Sequence, residues 1–417
     1  MIKMAASEKK KDKSSLSVDI IGLISSGLSE ALQKYGKFEL VLEDVIIEAD
    51  ELKILVQPRI LEQAMAPAVA EEVKVIEEIL TTEFEEPKFE FVGKIHEVKI
   101  GSTKSEGGTR DRTLVVGGET LPPVYRLVGA EEAMPHRPII GLDVFDMRIG
   151  LPRAVKQYIK DVMDDPAEWA KRWVDKFGAE LINLHLISTD PYIKDTSPRE
   201  AAKVVEEVLQ AVKVPITVGG SGNPEKDPEV FKAVADVAEG ERIVLNSLNL
   251  DMKLEDVCEY IKNKDCIVIA FTPMDLDKAR ELNRKLFDYL PKERILMDTN
   301  TAGIGYGLDY GFTVMERARL GALKGDSELQ QPLATGVTNA LAAREAWLKM
   351  DPFWGPREIR TPLWETLSGI INILAGADYI MTMHPLTMQT VNEIVKVLMS
   401  GELGKAEDIM DWVSWKI

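Results

Sequence analysis

From Pro138 onward, short apolar runs alternate with longer stretches in which apolar residues recur every three or four positions. The short runs have the length and continuity of strands that are buried on both faces, and the longer stretches have the spacing of amphipathic helices. Eight strands are predicted: Ile139–Phe145, Leu181–Ile187, Ile216–Gly219, Ile243–Leu248, Ile267–Phe271, Ile295–Asp298, Leu333–Thr335 and Tyr379–Met383. The predicted helices are Ala167–Phe177, Pro198–Val212, Glu229–Ala238, Leu254–Asn263, Leu276–Leu290, Phe312–Leu323, Val337–Met350 with Pro362–Leu374, and Met388–Met399.

A strand-then-helix order that repeats eight times predicts a parallel sheet, because each helix must carry the chain back to the same edge. The fold class is therefore α/β, and residues 138–400 have the size of a (β/α)8 TIM barrel. A doubly wound open sheet is the alternative that the pattern leaves open.

The rest of the chain divides by composition into four further segments. Residues 1–60 are predicted to form a small N-terminal module, with helical spacing over Val18–Tyr35 and strand-like runs over Lys37–Gln57. Residues 61–90 are glutamate-rich and are interpreted as an acidic linker. Residues 91–137 are predicted to form a hairpin extension around a glycine-rich turn, able to plug or lid the barrel, and residues 401–417 a C-terminal helical tail.

Charge and cysteine content narrow the classes of function. The net charge of −18 opposes binding to phosphate backbones, so no nucleic-acid partner is expected. No apolar stretch has the length of a bilayer span, so no membrane partner is expected and the predicted location is cytoplasmic. The two cysteines, Cys258 and Cys266, belong to no Cys-x-x-Cys or four-cysteine set, and we interpret them as buried reduced thiols.

In a TIM barrel the functional residues lie in the loops that follow the strands. This rule directs attention to Asp143, Asp146, His185 and to a set of candidate binding residues chosen by position: Gly220, Asn246, Asp298, Asn300, Gly303, Gly305, Tyr306, Thr335, Gly336 and His384. The four histidines are scattered and predict no metal site, and no nucleophile motif is present.

Two loops allow two interpretations each. The Gly303–Gly307 loop either brings backbone N–H groups to a ligand or forms a tight turn beneath Tyr306 and Tyr310. The aromatic pair in Asp351–Pro356 either folds back on the body or anchors an interface.

Several long strings resemble those of the corrinoid iron–sulfur protein small subunit, and the similarity runs from about Lys94 to Ser400. The strings are Ile100–Arg110 (IGSTKSEGGTR) with Val115–Glu119 (VVGGE), Gly219–Asp227 (GGSGNPEKD), Ala302–Tyr310 (AGIGYGLDY) and Met315–Leu323 (MERARLGAL). The additional N-terminal module and acidic linker resemble the longer archaeal version of this family, the delta subunit of acetyl-CoA decarbonylase/synthase.

The resemblance implies a TIM barrel that pairs with a large, gamma-type corrinoid iron–sulfur subunit inside a larger acetyl-CoA decarbonylase/synthase assembly. In this family the heterodimer carries methyl groups between a tetrahydropterin, such as tetrahydromethanopterin or tetrahydrosarcinapterin, and the nickel site of acetyl-CoA synthase. It implies that the corrinoid (cobamide) is shared with the partner, that this chain carries no Fe–S cluster, and that the chain has a non-catalytic or assisting role. An Asp-x-His-x-x-Gly cobalt-ligand motif is missing, since Asn183–Ser188 (NLHLIS) lacks both the Asp and the Gly.

Three functions are therefore considered. The first is a structural role in which the barrel mouth covers a corrinoid that the partner holds. The second is a pterin-dependent methyltransferase in which Asn246, Asp298 and Asn300 hydrogen-bond the pterin. The third, a metal-dependent lyase or aldolase, lacks a ligand set and a placed lysine.

Overall fold

A computed structural model of the chain describes residues 90–299 and 307–400. Its main feature is a closed barrel of eight parallel strands, in which each strand pairs with the next along the chain and the last pairs with the first. The strands are β3 (Ile139–Phe145), β4 (Ile182–His185), β5 (Ile216–Gly219), β6 (Val244–Leu248), β7 (Ile267–Phe271), β8 (Ile295–Asp298), β9 (Leu333–Gly336) and β10 (Ala377–Thr382). The predicted TIM barrel is confirmed, and the open sheet is excluded.

Nine α-helices are found in the described part of the chain, and most follow a barrel strand. They are α1 (Arg153–Ile159), α2 (Pro166–Phe177), α3 (Pro198–Ala211), α4 (Asp227–Val237), α5 (Leu254–Ile261), α6 (Leu276–Phe287), α7 (Leu308–Leu323), α8 (Arg357–Ala375) and α9 (Pro385–Ser400). None of the helices within residues 90–299 and 307–400 is long and apolar enough to cross a membrane.

Local sequence explains where several helices begin. The side chain of Asp165 accepts a hydrogen bond from the backbone N–H of Glu168 (3.0 Å), and Pro166 occupies the first position of α2. Ser197 and Glu200 form a reciprocal capping box at the start of α3, again with proline in the first turn. Both arrangements satisfy N–H groups that a helix start leaves unpaired.

The predicted helix Val337–Met350 is wrong. The segment instead forms two short 3-10 helices, Val337–Ala342 and Arg344–Ala346. Its buried residues are Val337, Ala340, Ala343 and Ala346, which recur every third position. A spacing of three suits a helix with three residues per turn and does not keep one face of an α-helix buried.

The predicted hairpin is confirmed. Strands β1 (Val98–Ile100) and β2 (Leu114–Val116) pair antiparallel, with Val98 opposite Val116 and Ile100 opposite Leu114. Their buried side chains form one cluster with residues at or beside the amino ends of barrel strands, among them Ile139, Leu181, Val244 and Ile267. The hairpin therefore closes the amino-terminal end of the barrel, opposite to the end where the βα loops lie.

Two buried arginines attach this extension to the barrel. Arg110 donates from Nε to Glu241 Oε2 (2.7 Å) and from Nη1 to the carbonyl of Val212 (2.8 Å). Arg319 on α7 donates to Glu119 Oε2 (2.9 Å) and to Asp378 Oδ2 (2.6 Å). Burial and the neighbouring Asp378 carboxylate raise the pKa of Glu119 well above its usual range. Both contacts replace water with buried, charge-assisted hydrogen bonds.

The domain boundaries that the sequence predicts are only partly within the described residues. The N-terminal module (1–60), nearly all of the acidic linker (61–90) and the C-terminal tail (401–417) lie outside them. Cys258 and Cys266 are both buried free thiols, as predicted. Burial raises the pKa of each thiol to about 12.

Candidate functional site

The interior of the barrel encloses a polar network centred on Asp143. Its Oδ1 accepts from Asn183 Nδ2 (2.8 Å) on the neighbouring strand, and its Oδ2 accepts from the hydroxyl of Thr338. Tyr379 on β10 donates to Asn183 Oδ1 and lies 2.6 Å from the hydroxyl of Thr217. Asp143 is 2% exposed, so these hydrogen bonds replace water around a buried carboxylate.

His185 lies above this network. Its Nε2 is 3.3 Å from Asp143 Oδ1, although the angle between them does not meet hydrogen-bond geometry. The ring stacks on Phe145, with 4.9 Å between the ring centroids. Gly219 is its neighbour in the sheet, and a Cβ there would be 2.9 Å from His185 Nδ1. A glycine at this position therefore leaves the space that the imidazole occupies.

Asn246 on β6 lies at the same height in the barrel as His185 and Gly219. It pairs in register with Gly219 on the neighbouring strand, and its side-chain Nδ2 contacts Met381 Sδ of β10 across the barrel at 3.6 Å. The peptide bond between Asn246 and Ser247 is cis. The half-buried amide of Asn246 thus faces the barrel interior.

Asp298 is the last residue of β8 and is buried, in register with Phe271. Gly336 is the last residue of β9, and Thr338, two residues later, reaches back to Asp143. These residues place hydrogen-bonding groups from three strands or strand ends, β3, β8 and β9, around one opening. We call this set, together with Asn183, His185 and Asn246, the barrel mouth.

Gly220 has a structural explanation. The segment Gly220–Gly222 wraps the carboxylate of Asp227, which accepts from the N–H groups of Ser221 (2.9 Å) and Gly222 (2.8 Å) and from the Ser221 hydroxyl (2.8 Å). A Cβ on Gly220 would be 2.4 Å from Asp227 Cγ. Burial raises the pKa of Asp227 despite these donors.

Thr335 and His384 face the helical layer instead of the mouth. The hydroxyl of Thr335 is 3.5 Å from Asn372 Nδ2 on α8. His384 is 2% exposed, packs edge-on against Tyr158 of α1, and accepts at Nδ1 from the N–H of Leu386 (3.1 Å). Burial lowers the pKa of His384 to about 3, so the ring is neutral at physiological pH.

The loop after β10 rests on a second buried carboxyl group. Glu365 of α8 accepts from the N–H groups of Met383 (2.9 Å) and His384 (3.0 Å) and from the Thr387 hydroxyl (3.2 Å). Burial raises the pKa of Glu365 to about 7. Glu365 fixes the backbone that leads from β10 into α9 and so supports one side of the mouth.

Four of the predicted site residues lie outside the described residues: Asn300, Gly303, Gly305 and Tyr306. The same holds for most of the Gly303–Gly307 loop, of which only Gly307 is described, in the left-handed region (φ 89°) just before α7. Both interpretations of this loop therefore stay predictions.

Exposed apolar side chains surround the mouth. Tyr192 and Ile193 follow β4, Met274 follows β7, and Phe353 and Trp354 follow β9. Tyr192 is 94% exposed and Phe353 93% exposed. We call these five residues the apolar rim. Exposed apolar groups that cluster on one end of a molecule are typical of interaction sites.

Sequence reasoning did not select Asn183, Thr217, Thr338 and Tyr379. A signal for three of them exists: Asn183, Thr217 and Tyr379 are polar residues inside otherwise apolar strands, at the alternate positions that face the barrel interior. Thr338 had no such signal, because it was assigned to a helix. Within the described residues, no group of three or more His, Cys, Asp or Glu side chains is arranged to hold a metal ion.

Comparison with known proteins identifies the family. Residues 97–391 match the model of the CO dehydrogenase/acetyl-CoA synthase delta subunit. The chain belongs to this family. The match begins in the hairpin extension and ends within α9, so it includes the hairpin and all eight barrel strands.

Relatives in the delta-subunit family cover most of the chain. The acetyl-CoA decarbonylase/synthase complex subunit delta of Archaeoglobus fulgidus is 47% identical over 361 residues, which is 85% of this chain and 79% of that protein. Subunit delta of Methanocaldococcus jannaschii is 42% identical over 396 residues, which is 93% of this chain and 96% of that protein. Among solved structures, dihydropteroate synthase of Stenotrophomonas maltophilia is 13% identical with a TM-score of 0.45, over 64% of this chain and 95% of that chain.

The family assignment gives the coarse function. The chain is a delta-type subunit of the multi-subunit acetyl-CoA decarbonylase/synthase complex.

Proposed function

We propose that this delta subunit pairs with a large, gamma-type corrinoid iron–sulfur subunit and covers one face of the corrinoid that the partner holds. The proposal rests on two features that occur together at one end of the barrel in a chain of this family: polar groups in the mouth and exposed apolar side chains around it. The mouth offers hydrogen-bonding groups, and the apolar rim around it is exposed. A corrin is a broad flat ring with amide side chains, so it needs both kinds of contact.

The residues of the mouth fit such a ligand in their chemistry. The amide of Asn246 and the imidazole of His185 provide donors and acceptors for amide groups. The rim side chains Tyr192 and Phe353 provide apolar surface for the ring and for the partner that presents it. When bound, the corrinoid supplies the methyl-carrying chemistry, accepting and releasing a methyl group at cobalt. The chain's own residues orient the ring and exclude water from its covered face.

In this proposal the subunit serves methyl transfer between a tetrahydropterin and the nickel site of acetyl-CoA synthase without a catalytic side chain of its own. Its buried polar groups hold the lining of the barrel in a fixed geometry. Asp143, Asn183 and Tyr379 hydrogen-bond each other and are thereby held in place before any ligand arrives.

The test is ligand access to cobalt in the purified heterodimer. The rate at which iodomethane alkylates the reduced corrinoid is measured for the large subunit alone and together with this chain. We expect the full-length chain to slow the reaction at least about tenfold, a change of about 1.4 kcal/mol in barrier. Tyr192→Asp with Phe353→Asp should weaken this protection and the pairing itself.

A matched control is Val92→Asp, because Val92 is 78% exposed and precedes the hairpin, which closes the opposite end of the barrel. It should leave both pairing and protection unchanged. Equal alkylation rates with and without the chain would contradict the covering role.

One observation supports a second function, that of a pterin-dependent methyltransferase. Asn246 and Asp298 bring an amide and a carboxylate to the mouth from β6 and β8, and these groups suit the donor and acceptor edge of a pterin. A pterin-dependent methyltransferase would bind tetrahydropterin on the isolated chain. Calorimetric titration of the isolated chain with tetrahydropterin separates this function from the covering role. If the chain binds the pterin, Asn246→Ala should weaken that binding.

A further inference from the structure

Four arginines are buried in the described part of the chain, and one differs from the others in its surroundings. Arg110 and Arg319 each contact buried carboxylates. Arg126 donates from Nε to the carbonyl of Leu398 (3.0 Å), and from Nη2 to that of Met399, at the C-terminal end of α9. That end of a helix carries partial negative charge, so a cation is stabilised there.

Among the residues that the structure describes, Arg360 has neither kind of partner. It is 3% exposed, and its one hydrogen bond runs from Nη2 to the carbonyl of Leu348 (2.5 Å). Within residues 90–299 and 307–400, its Nε and Nη1 have no hydrogen-bond partner and no carboxylate lies within 4.0 Å. A buried guanidinium with unused donors is strongly unfavourable unless an anion compensates its charge.

The position of Arg360 adds to this charge. It is the fourth residue of α8, a helix of 19 residues whose N-cap is Pro356 and whose first turn has no side-chain cap. Helical side chains tilt toward the N-terminus, so the guanidinium lies over the first turn of its own helix. The N-terminal end of a helix carries partial positive charge and binds anions.

Further positive charge lies nearby. A hydrogen bond from its own backbone N–H lowers the pKa of Glu358 in this first turn, and the positive charges of Arg357 and Arg153 lower it further. Glu358 is paired with Arg357, whose Nε is 3.3 Å from its Oε1. One acidic side chain therefore faces two other arginines in addition to the helix end, and it does not contact Arg360.

The location agrees with the architecture of the barrel. Helix α8 follows β9, the seventh barrel strand, and its N-terminal end is therefore on the side of the mouth. In TIM barrels the loops after the seventh and eighth strands are a frequent site for phosphate. The segment over the guanidinium is joined to α8 by the bond from Arg360 to Leu348 and by one from the Thr361 hydroxyl to the carbonyl of Ala346 (3.0 Å); Ala346 is buried, whereas Trp347 and Leu348 are exposed.

We infer that Arg360 and the first turn of α8 form a phosphoryl-binding subsite beside the mouth, reached when the segment 346–348 moves aside. Its ligand is inorganic phosphate or the phosphate group of a larger ligand that binds at the mouth. The planar guanidinium binds two phosphate oxygens at once, and the helix end supplies N–H groups. This subsite is independent of the covering role, since it requires no corrinoid and no partner chain.

Calorimetric titration of the full chain tests the subsite. Inorganic phosphate and ribose 5-phosphate are titrated at constant ionic strength, with chloride as the reference. We expect both to bind, and Arg360→Met to weaken binding at least tenfold. Arg344→Met is the matched control, because Arg344 is exposed two residues before this segment, and it should leave binding unchanged.

Thermal unfolding in phosphate-free buffer distinguishes a loss of phosphate binding in Arg360→Met from a folding defect. Since an uncompensated buried charge is removed, Arg360→Met should unfold at the same temperature as the native chain or at a higher one. Phosphate should then raise the unfolding temperature of the native chain and of Arg344→Met, but not that of Arg360→Met.

The outcomes decide between the possibilities. Tighter binding of ribose 5-phosphate than of phosphate supports a larger ligand, and equal binding supports phosphate itself. Binding of phosphate to Arg360→Met as tight as to the native chain would overturn the inference. So would titrations of the native chain that match the chloride reference, or a lower unfolding temperature of Arg360→Met in phosphate-free buffer.

Discussion

At the scale of single residues, position along a strand decides which side chains reach the site. Asn246 was predicted and faces the interior, whereas Thr335 and His384 were predicted and face the helices. Side chains alternate between the two faces of a strand, so a shift of one position exchanges the interior for the helical layer. The sequence shows where a strand ends within a residue or two, and that uncertainty is enough to misassign a face.

His384 provides a test at this scale. Burial lowers its pKa from about 6.5 to about 3, so the folded state excludes a proton that the unfolded state binds below about pH 6.5. The stability that depends on a neutral ring is therefore complete above about pH 6.5 and is lost as pH falls toward 3. The expected slope is about 1.4 kcal/mol per pH unit, or about 2 kcal/mol between pH 6.5 and 5.

His384→Gln keeps a donor and an acceptor but does not titrate. We expect urea unfolding, followed by circular dichroism, to show a free energy of unfolding that falls less steeply with acid in this variant than in the native chain. The partly buried His96 titrates in both proteins and cancels in the comparison. Equal slopes between pH 6.5 and 5 would mean that His384 is protonated in the folded state.

At the scale of elements, apolar runs predicted all eight barrel strands, because strands that are buried on both faces have nearly continuous apolar sequences. Helix α1 and the 3-10 segments after β9 were not predicted. The repeat of Val337, Ala340, Ala343 and Ala346 every three residues is a signal for a 3-10 helix, but the high α-helix propensity of alanine favours the α-helical interpretation.

The contact between the hairpin extension and the barrel can be tested through Arg319. Arg319→Met leaves Glu119 and Asp378 buried without a cation, so we expect the free energy of unfolding to fall by about 3–5 kcal/mol at pH 8. The loss should shrink near pH 5, because burial raises the pKa of Glu119 and a proton then replaces the missing charge.

The control for this change is Arg284→Met. Arg284 pairs with Glu328 at 2.6 Å, but its side chain is 63% exposed, so the loss should be under about 1 kcal/mol. Urea unfolding at both pH values measures each variant. If Arg319→Met loses no more stability than the control, the ion pairs of Arg319 with Glu119 and Asp378 only offset the cost of removing these charges from water.

At the scale of the whole molecule, the two ends of the barrel have different tasks. The hairpin fills the amino-terminal end with Val98, Ile100 and Val116, while the other end presents the mouth and its rim. The position of the hairpin could not be predicted from the sequence, since a plug and a lid have the same strand pattern. The pairing of distant strands, such as β3 with β10, decides which end each loop reaches.

Two truncations separate the N-terminal segments from the hairpin. Removing residues 1–86 leaves the barrel core and its plug complete, so we expect cooperative thermal unfolding at a temperature close to that of the full chain. Removing residues 1–117 also exposes the ends of strands that Val98, Ile100 and Val116 cover, each worth about 1.5–3 kcal/mol. We expect the free energy of unfolding of this shorter protein to fall by at least about 5 kcal/mol. Its thermal unfolding should no longer be cooperative.

The same pair of truncations tests the role of residues 1–86 in assembly. If they tether the heterodimer to the larger complex, the chain without them should still pair with the large corrinoid subunit, because the mouth and the apolar rim are unchanged. It should be incorporated poorly into the complete acetyl-CoA decarbonylase/synthase assembly, as measured by size-exclusion chromatography of the mixed subunits. Failure of the folded truncation to pair with the large subunit would place residues 1–86 in the heterodimer interface and would contradict the tether.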